Sequence, residues 1–312
     1  MEHKEKEMSN RTFITEFLLL EFTDLREFQI VHFIVFLALY LTVVAGNLLI
    51  ISVIALDQHL HTPMYFFLMN LAVTDLGSIS ATIPKSMLNS LMNTRLISYS
   101  GCVVQVYFFL LFAALDCTLL TVMAHDRYVA ICNPLRYETI MNKGACIQMA
   151  ASAWLSSLLY AMLHTATTFA MKFCSNIVDQ FFCEIPQLVK ISCSDLYLVE
   201  SILLIFGVAA ASGCFVFIVV TYIQIFTTVL RIPSSQGRQK AFSTCIPHLV
   251  VFSMFLFGGM LVYLRPIPHP SPHTNLAFAI IYSVIPPMMN PVIYSMRNKE
   301  IKLAMCKLLH LK

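Results

Sequence analysis

Apolar residues recur along the chain in blocks of about twenty or more, separated by short polar connections, and this is the spacing set by the hydrocarbon core of a bilayer. Seven blocks read as membrane spans: Phe28 to Leu56, Pro63 to Leu91, Tyr99 to Cys132, Ala145 to Thr168, Leu196 to Leu230, Ala241 to Leu264, and Asn275 to Met296. The pattern predicts an all-α membrane protein, a seven-transmembrane helix bundle. Pro84, Pro247, Pro286, Pro287 and Pro291 fall inside spans, where neighbouring helices can satisfy the carbonyls that a proline frees.

Composition agrees with the pattern. Of 312 residues, 58% are hydrophobic and 12% charged, about half the charge share of an ordinary soluble domain. A net charge of +3, with no run of like charges, argues against nucleic acid as a partner. Residues 1–27 mix acids and bases, and Phe17 to Leu20 is too short for a signal-peptide core, so the first span is expected to serve as its own insertion signal.

An odd number of spans puts the termini on opposite sides. Eleven of the 20 Lys and Arg residues, from Arg127 and Arg136 to Lys307 and Lys312, fall on one set of connections, and nine on the other, which includes the N-terminal tail. The richer side reads as cytoplasmic. Asn10-Arg11-Thr12, the one N-glycosylation sequon, lies in the tail that this rule puts outside. The expected organisation is an extracellular tail over 1–27, a membrane domain over 28–296 and a cytoplasmic tail over 297–312. In the last, Ile301, Met305 and Leu308 share one face among lysines, as in a short amphipathic helix lying on the inner membrane surface. Cys306 there is a candidate for palmitoylation. Of ten cysteines, Cys102, Cys174, Cys183 and Cys193 fall outside the cell in this topology, where disulfides persist; their pairing cannot be deduced from spacing.

Ionisable groups within a bilayer are costly and mark function. Asp75 in the second span and Asp116 in the third are the clearest, either as a structural polar network or as a cation or proton site. At the end of the third span stands Asp126-Arg127-Tyr128, within Met123-Ala-His-Asp-Arg-Tyr-Val-Ala-Ile-Cys-Asn-Pro-Leu-Arg-Tyr137. Arginine stays charged, an adjacent aspartate can hold it, and breaking such a pair is a natural two-state element. On the outer half of the third helix, Phe109, Ala113 and Asp116 share one stripe, and Leu110, Ala114 and Cys117 the next, with small residues leaving room for a ligand.

Over its full length the chain resembles the rhodopsin-like G-protein-coupled receptors and, within them, the vertebrate odorant receptors. The resemblance rests on Gly46-Asn47, on Leu60-His-Thr-Pro-Met-Tyr-Phe-Phe-Leu68 running to Asp75, and on the Met123 to Tyr137 segment. Lys240-Ala-Phe-Ser-Thr-Cys245 with His248, and Asn290-Pro-Val-Ile-Tyr-Ser-Met-Arg-Asn298, complete it. It implies that Asp126, Arg127 and Tyr128 form the cytoplasmic switch, with Tyr222 and Tyr294 swinging toward it on activation. It implies a polar network of Asn47, Asp75, Asp116 and Asn290, with a candidate sodium site at Asp75 and Asp116, and disulfides Cys102–Cys183 and Cys174–Cys193. By family position, Phe206 and Ala210 on helix five, Gly259, Met260 and Tyr263 on helix six, and Ile280 and Ser283 on helix seven complete the ligand wall. Two positions depart from the family pattern: His125 replaces the usual tyrosine, and Leu256 the frequent aromatic of helix six.

Phe109 stands where amine receptors of the wider family carry an anchoring acid, and no other acid is read in the outer cavity. An uncharged, mostly apolar odorant is therefore expected, held by shape and by hydrogen bonds from Tyr263 or Ser283. The implied partner is a stimulatory olfactory-type heterotrimeric G protein, with cyclic AMP as output, at a plasma membrane with the N-terminus outside and lipid around the bundle. A transporter is disfavoured because no matching halves are found. An enzyme lacks its motifs, with His32, His164 and His248 scattered over separate spans, and no cofactor is read.

Overall fold

The computed structural model describes residues 14–20, 25–231, 234–263, 280–281, 283–291, 293 and 299–308. Six long helices follow one another: α1 (Arg26–Leu56), α2 (Pro63–Met92), α3 (Tyr99–Cys132), α4 (Lys143–Ala170), α5 (Tyr197–Leu230) and α6 (Ser235–Tyr263). Residues 283–291 add a helical stretch, α7, and Lys299–Leu308 forms α8. The first five are each long and apolar enough to cross a membrane.

Local chemistry sets the helix ends. Pro63 opens α2 behind an extended Thr62, since proline lacks the N–H that a first helical turn leaves unpaired and has its φ preset. Asn93 closes α2 in the left-handed region at φ 53°, a conformation that asparagine tolerates better than most residues. The Ser98 hydroxyl accepts from Gly101 N at 3.1 Å to start α3, and the Asn142 carboxamide accepts from Ala145 N at 2.9 Å to start α4, each satisfying an orphan donor.

Helix α3 is the axis of the bundle and packs against α2, α4, α5 and α6. Large apolar side chains point outward: Ile34, Leu41 and Leu48 on α1 and Ile202, Ile205, Val216 and Ile223 on α5 are exposed. Water would penalise such faces, whereas lipid solvates them.

One end of the bundle carries a three-stranded sheet in the order β2-β1-β3. Strand β1 (Glu16–Leu19) lies antiparallel to β2 (Leu96–Ser98), with Phe17 opposite Ile97, and parallel to β3 (Ile177–Val178). Alternation along β1 drives Phe17 and Leu19 into a core with Cys102, Val106 and Cys183. This part of the N-terminal segment, expected only as tail, thus closes the bundle end. Cys102 is bonded to Cys183, and Cys174 to Cys193, at this same end.

At the opposite end α8 packs on α1. Ile301 and Ala304 are buried, and Leu308 is exposed. Leu308 shares the face of Ile301 and Ala304 but is the last residue of the helix, and the Tyr65 hydroxyl donates to Glu300 Oε2 at 2.6 Å to tie α8 to α2.

Candidate functional site

At the arginine end, Asp126 is fully buried. Its Oδ2 accepts from Arg127 Nε at 2.9 Å and forms an ion pair with Nη2. Its Oδ1 accepts from the Tyr137 hydroxyl at 2.8 Å. Tyr137 reaches this position because α3 stops at Asn133, before a Pro134–Arg136 turn that leads into a one-turn helix, Tyr137–Ile140. Burial, and then the Asp126 carboxylate beside it, push the Tyr137 hydroxyl above the usual tyrosine range. It therefore stays protonated and donating at neutral pH. Both oxygens of Asp126 are engaged, and Arg127 is held against α3.

Tyr128 is partly buried against the same core. The Tyr222 hydroxyl of α5 lies 2.8 Å from Nδ1 of His248 on α6, with the two rings stacked at 5.6 Å. Tyr222 thus joins α5 to α6 in this structure instead of bonding to Arg127. Tyr294 lies outside the described residues, as does Asn10.

In mid-bundle, Asn290 Nδ2 of α7 donates to both oxygens of Asp75, at 3.0 and 2.9 Å. Asn47 Nδ2 donates across to Pro287 O at 3.2 Å. Helices α1 and α7 come close here because Gly46 has no side chain: a Cβ would stand 3.0 Å from the Pro291 ring. The Thr74 hydroxyl beside Asp75 donates to Leu71 O at 2.7 Å. Of this group, Asn47 Oδ1, Asp116 Oδ1 and Asn290 Oδ1 are buried and have no hydrogen-bond partner among the described residues.

Toward the disulfide end, the two stripes predicted on α3 diverge. Phe109 packs in a cluster with Phe36, Ile83, Phe182, Val284 and Ile280, its ring 5.1 Å from that of Phe182. Leu110 packs instead with Ala161 and with Ile185 and Leu188 of a short helix, Ile185–Lys190. Ala113 and Ala114 are half-buried between them, and Ser283 is buried on α7. Phe206 and Ala210 do not join this wall: both are exposed, Phe206 by 69%. The buried stripe of α5 runs through Glu200, Ile218, Tyr222, Ile225 and Val229, and at about 100° per residue both positions sit roughly a quarter-turn or more off it. Gly259, Met260 and Tyr263 fall on α6, with their side chains outside the described residues.

A segment of the chain beyond α4 dips into the bundle over this region. Phe181 and Phe182 are buried. Ser86 Oγ donates to Phe181 O at 3.1 Å, and Cys183 N donates to Gln105 Oε1 at 2.8 Å.

Residues 36–312 match the olfactory receptor family. Human "Olfactory receptor 14I1" is 51% identical over 302 residues, covering 96% of this chain and 97% of its own length. Human "Olfactory receptor 14C36" is 48% identical over 303 residues, with 97% of each chain covered. "Olfactory receptor 1G1" of gorilla is 45% identical over 304 residues, again with 97% of each covered.

The chain belongs to the olfactory receptor family.

Olfactory receptors are multi-pass membrane proteins with a seven-helix bundle, signalling receptors and not enzymes, and this sets the partial α7 and the long α6 among the seven spans. As a member, the chain is an odorant receptor that couples to a G protein.

Three features of this olfactory receptor escape sequence reasoning. The sequence marks Tyr137 as a motif residue and not as the second ligand of Asp126. The plug of Phe181 and Phe182 carries no signal in the sequence beyond its adjacency to Cys183. The third is a further intramembrane acid, which faces α4. Glu200 lies in the fifth span, fully buried, and one of its oxygens stands 2.6 Å from Nδ1 of His164 on α4. An acid within an apolar block is the signal that identified Asp75 and Asp116, and it applied here equally.

Proposed function

We propose that this receptor sits in the plasma membrane with its N-terminus outside and binds an uncharged, mostly apolar odorant in the outer half of the bundle. It then activates a stimulatory olfactory-type G protein and raises cyclic AMP. The proposed organisation is an outer tail over 1–27, the membrane domain over 28–296 and a cytoplasmic tail over 297–312. Phe109, Leu110, Ala113, Ala114, Gly259, Met260, Tyr263, Ile280 and Ser283 are the proposed ligand wall. Glu200 has its Oε1 paired with His164 and its Oε2 without a hydrogen-bond partner among the described residues; a neutral ligand is proposed because Phe109 and its neighbours make the wall apolar.

The observation that carries the reading is the Tyr137–Asp126–Arg127 chain. Arg127 is held by a carboxylate that a second residue also binds, so releasing it exchanges one satisfied arrangement for another. Ligand shifts that equilibrium by its differential affinity, and the freed face docks the G protein. The mid-bundle residues Asn47, Asp75, Asp116 and Asn290 would couple the two ends. The unpartnered oxygens of Asn47, Asp116 and Asn290 are of the type that suits a hard cation such as sodium, which would supply charge compensation for the two aspartates.

The test is Arg127→Ala in an odorant-stimulated cyclic AMP assay, with surface expression measured alongside. Loss of the response at preserved expression is expected, and a full response rejects the mechanism.

A further inference from the structure

A cleft of about 510 Å³ lies between α2 and α3 at the disulfide end, on the outside of the bundle. That volume is within the range of pockets that hold one small ligand, roughly 300–1,000 Å³. Its two ends differ chemically. The mouth is formed by Lys85, Ser98 and Gly101, beside the start of α3. From there it runs down α3 past Val104 and Phe108 to Phe112, eleven residues on from Gly101 and about 16 Å at 1.5 Å per residue. Val104 and Phe108 are 53% and 41% exposed, so this wall is open to lipid. Gly77 forms the floor, where Phe112 lies so close that no Cβ could fit.

Lys85 is the unexplained group. It lies within the span α2, and among the described residues it has no acidic partner. The polar neighbour Gln105 is engaged elsewhere, its Nε2 donating to Ala81 O and its Oε1 accepting from Cys183 N. An ammonium at the rim of a span is tolerated when its stem lies along apolar surface and its head reaches the interface. Here the head also stands at the mouth of an apolar cleft of ligand size.

The geometry points to a lateral binding site for a single-chain amphiphile bearing a carboxylate, a free fatty acid drawn from the surrounding membrane. Its carboxylate pairs with Lys85 at the interface, and its chain lies along Val104, Phe108 and Phe112. Charge selects the head, and a cleft of this volume admits one chain rather than the pair and glycerol of a phospholipid. The site lies outside the bundle, apart from the odorant wall, and depends neither on the orientation in the membrane nor on the G-protein reading.

The experiment uses the full-length receptor in phosphatidylcholine nanodiscs, photolabelled with a diazirine analogue of dodecanoic acid and mapped by mass spectrometry. Labelling is expected within Gly101 to Phe112, competed by dodecanoic acid and not by its methyl ester. Lys85→Gln should lower it roughly tenfold, as loss of one charge-assisted bond implies, and Lys85→Arg should retain it. Val104→Trp, which fills the cleft and leaves Lys85 in place, should lower it as well. Labelling elsewhere on the wild-type receptor, unchanged labelling in Lys85→Gln or Val104→Trp, or equal competition by the ester overturns the proposal. So does phosphatidic acid in the nanodisc competing as well as dodecanoic acid, which would make the occupant a phospholipid.

Discussion

The two ends of the bundle are held together by different kinds of bond. At the disulfide end, Cys102–Cys183 and Cys174–Cys193 are covalent, a three-stranded sheet ties the N-terminal segment to the loops, and Phe181 and Phe182 are driven into the core. At the arginine end, the ties are the Tyr137–Asp126–Arg127 chain, the Tyr222–His248 pair and the Tyr65–Glu300 bond. Each is a hydrogen bond or ion pair, and a net contribution of about 1 to 3 kcal/mol is within reach of a ligand's binding energy. Thermal energy and small ligands do not open a disulfide. A bundle so tied can change state at less cost at the hydrogen-bonded end than at the stapled end.

The largest effect is expected from breaking the staple. Cys102→Ser removes a link between residues 81 apart, worth about 4.5 kcal/mol in the chain-entropy account. Purified receptor should show a Tm lower by many degrees, and cells should show little of it at the surface. Cys174→Ser opens a link between residues 19 apart, about 3 kcal/mol by the same account, so its Tm should fall less. Equal losses for the two would mean that native contacts, not loop closure, set the contribution.

At the other end a small change should move signalling more than stability. Tyr137→Phe removes one hydrogen bond to Asp126, about 1 kcal/mol, and should raise odorant-free cyclic AMP by a factor of about five with Tm nearly unchanged. A large drop in Tm with silent basal activity would assign Tyr137 to packing instead.

The helices were legible because their signal is local. The expected spans over Pro63 to Leu91 and Tyr99 to Cys132 match α2 and α3 to within a residue at either end. Helix α6 starts six residues before the expected Ala241, at Ser235, since hydropathy marks the length inside lipid and the helix continues into water through Gln236, Arg238 and Gln239. The sheet was not legible, because Phe17 finds Ile97 and Leu18 finds Ile177 only after the chain has folded. The same holds within the site. Asp126 and Arg127 are neighbours in sequence and were paired on reading, whereas Tyr137 reaches Asp126 only across a turn. Glu200 carries the local signal of an acid in an apolar block, whereas its pairing with His164 is made only when two helices meet. Phe206 and Ala210 were assigned by family position, and the burial stripe of α5 turns them aside.

Asp126 restrains Arg127, and release of this restraint is proposed as the activating step. Odorant-free cyclic AMP in cells expressing Asp126→Asn at surface levels matched to the unsubstituted receptor tests it most directly. A basal signal several-fold above that of the unsubstituted receptor is predicted, because the amide keeps the shape and removes the charge that holds the guanidinium. A basal signal equal to that of the unsubstituted receptor, with the odorant response intact, would contradict it.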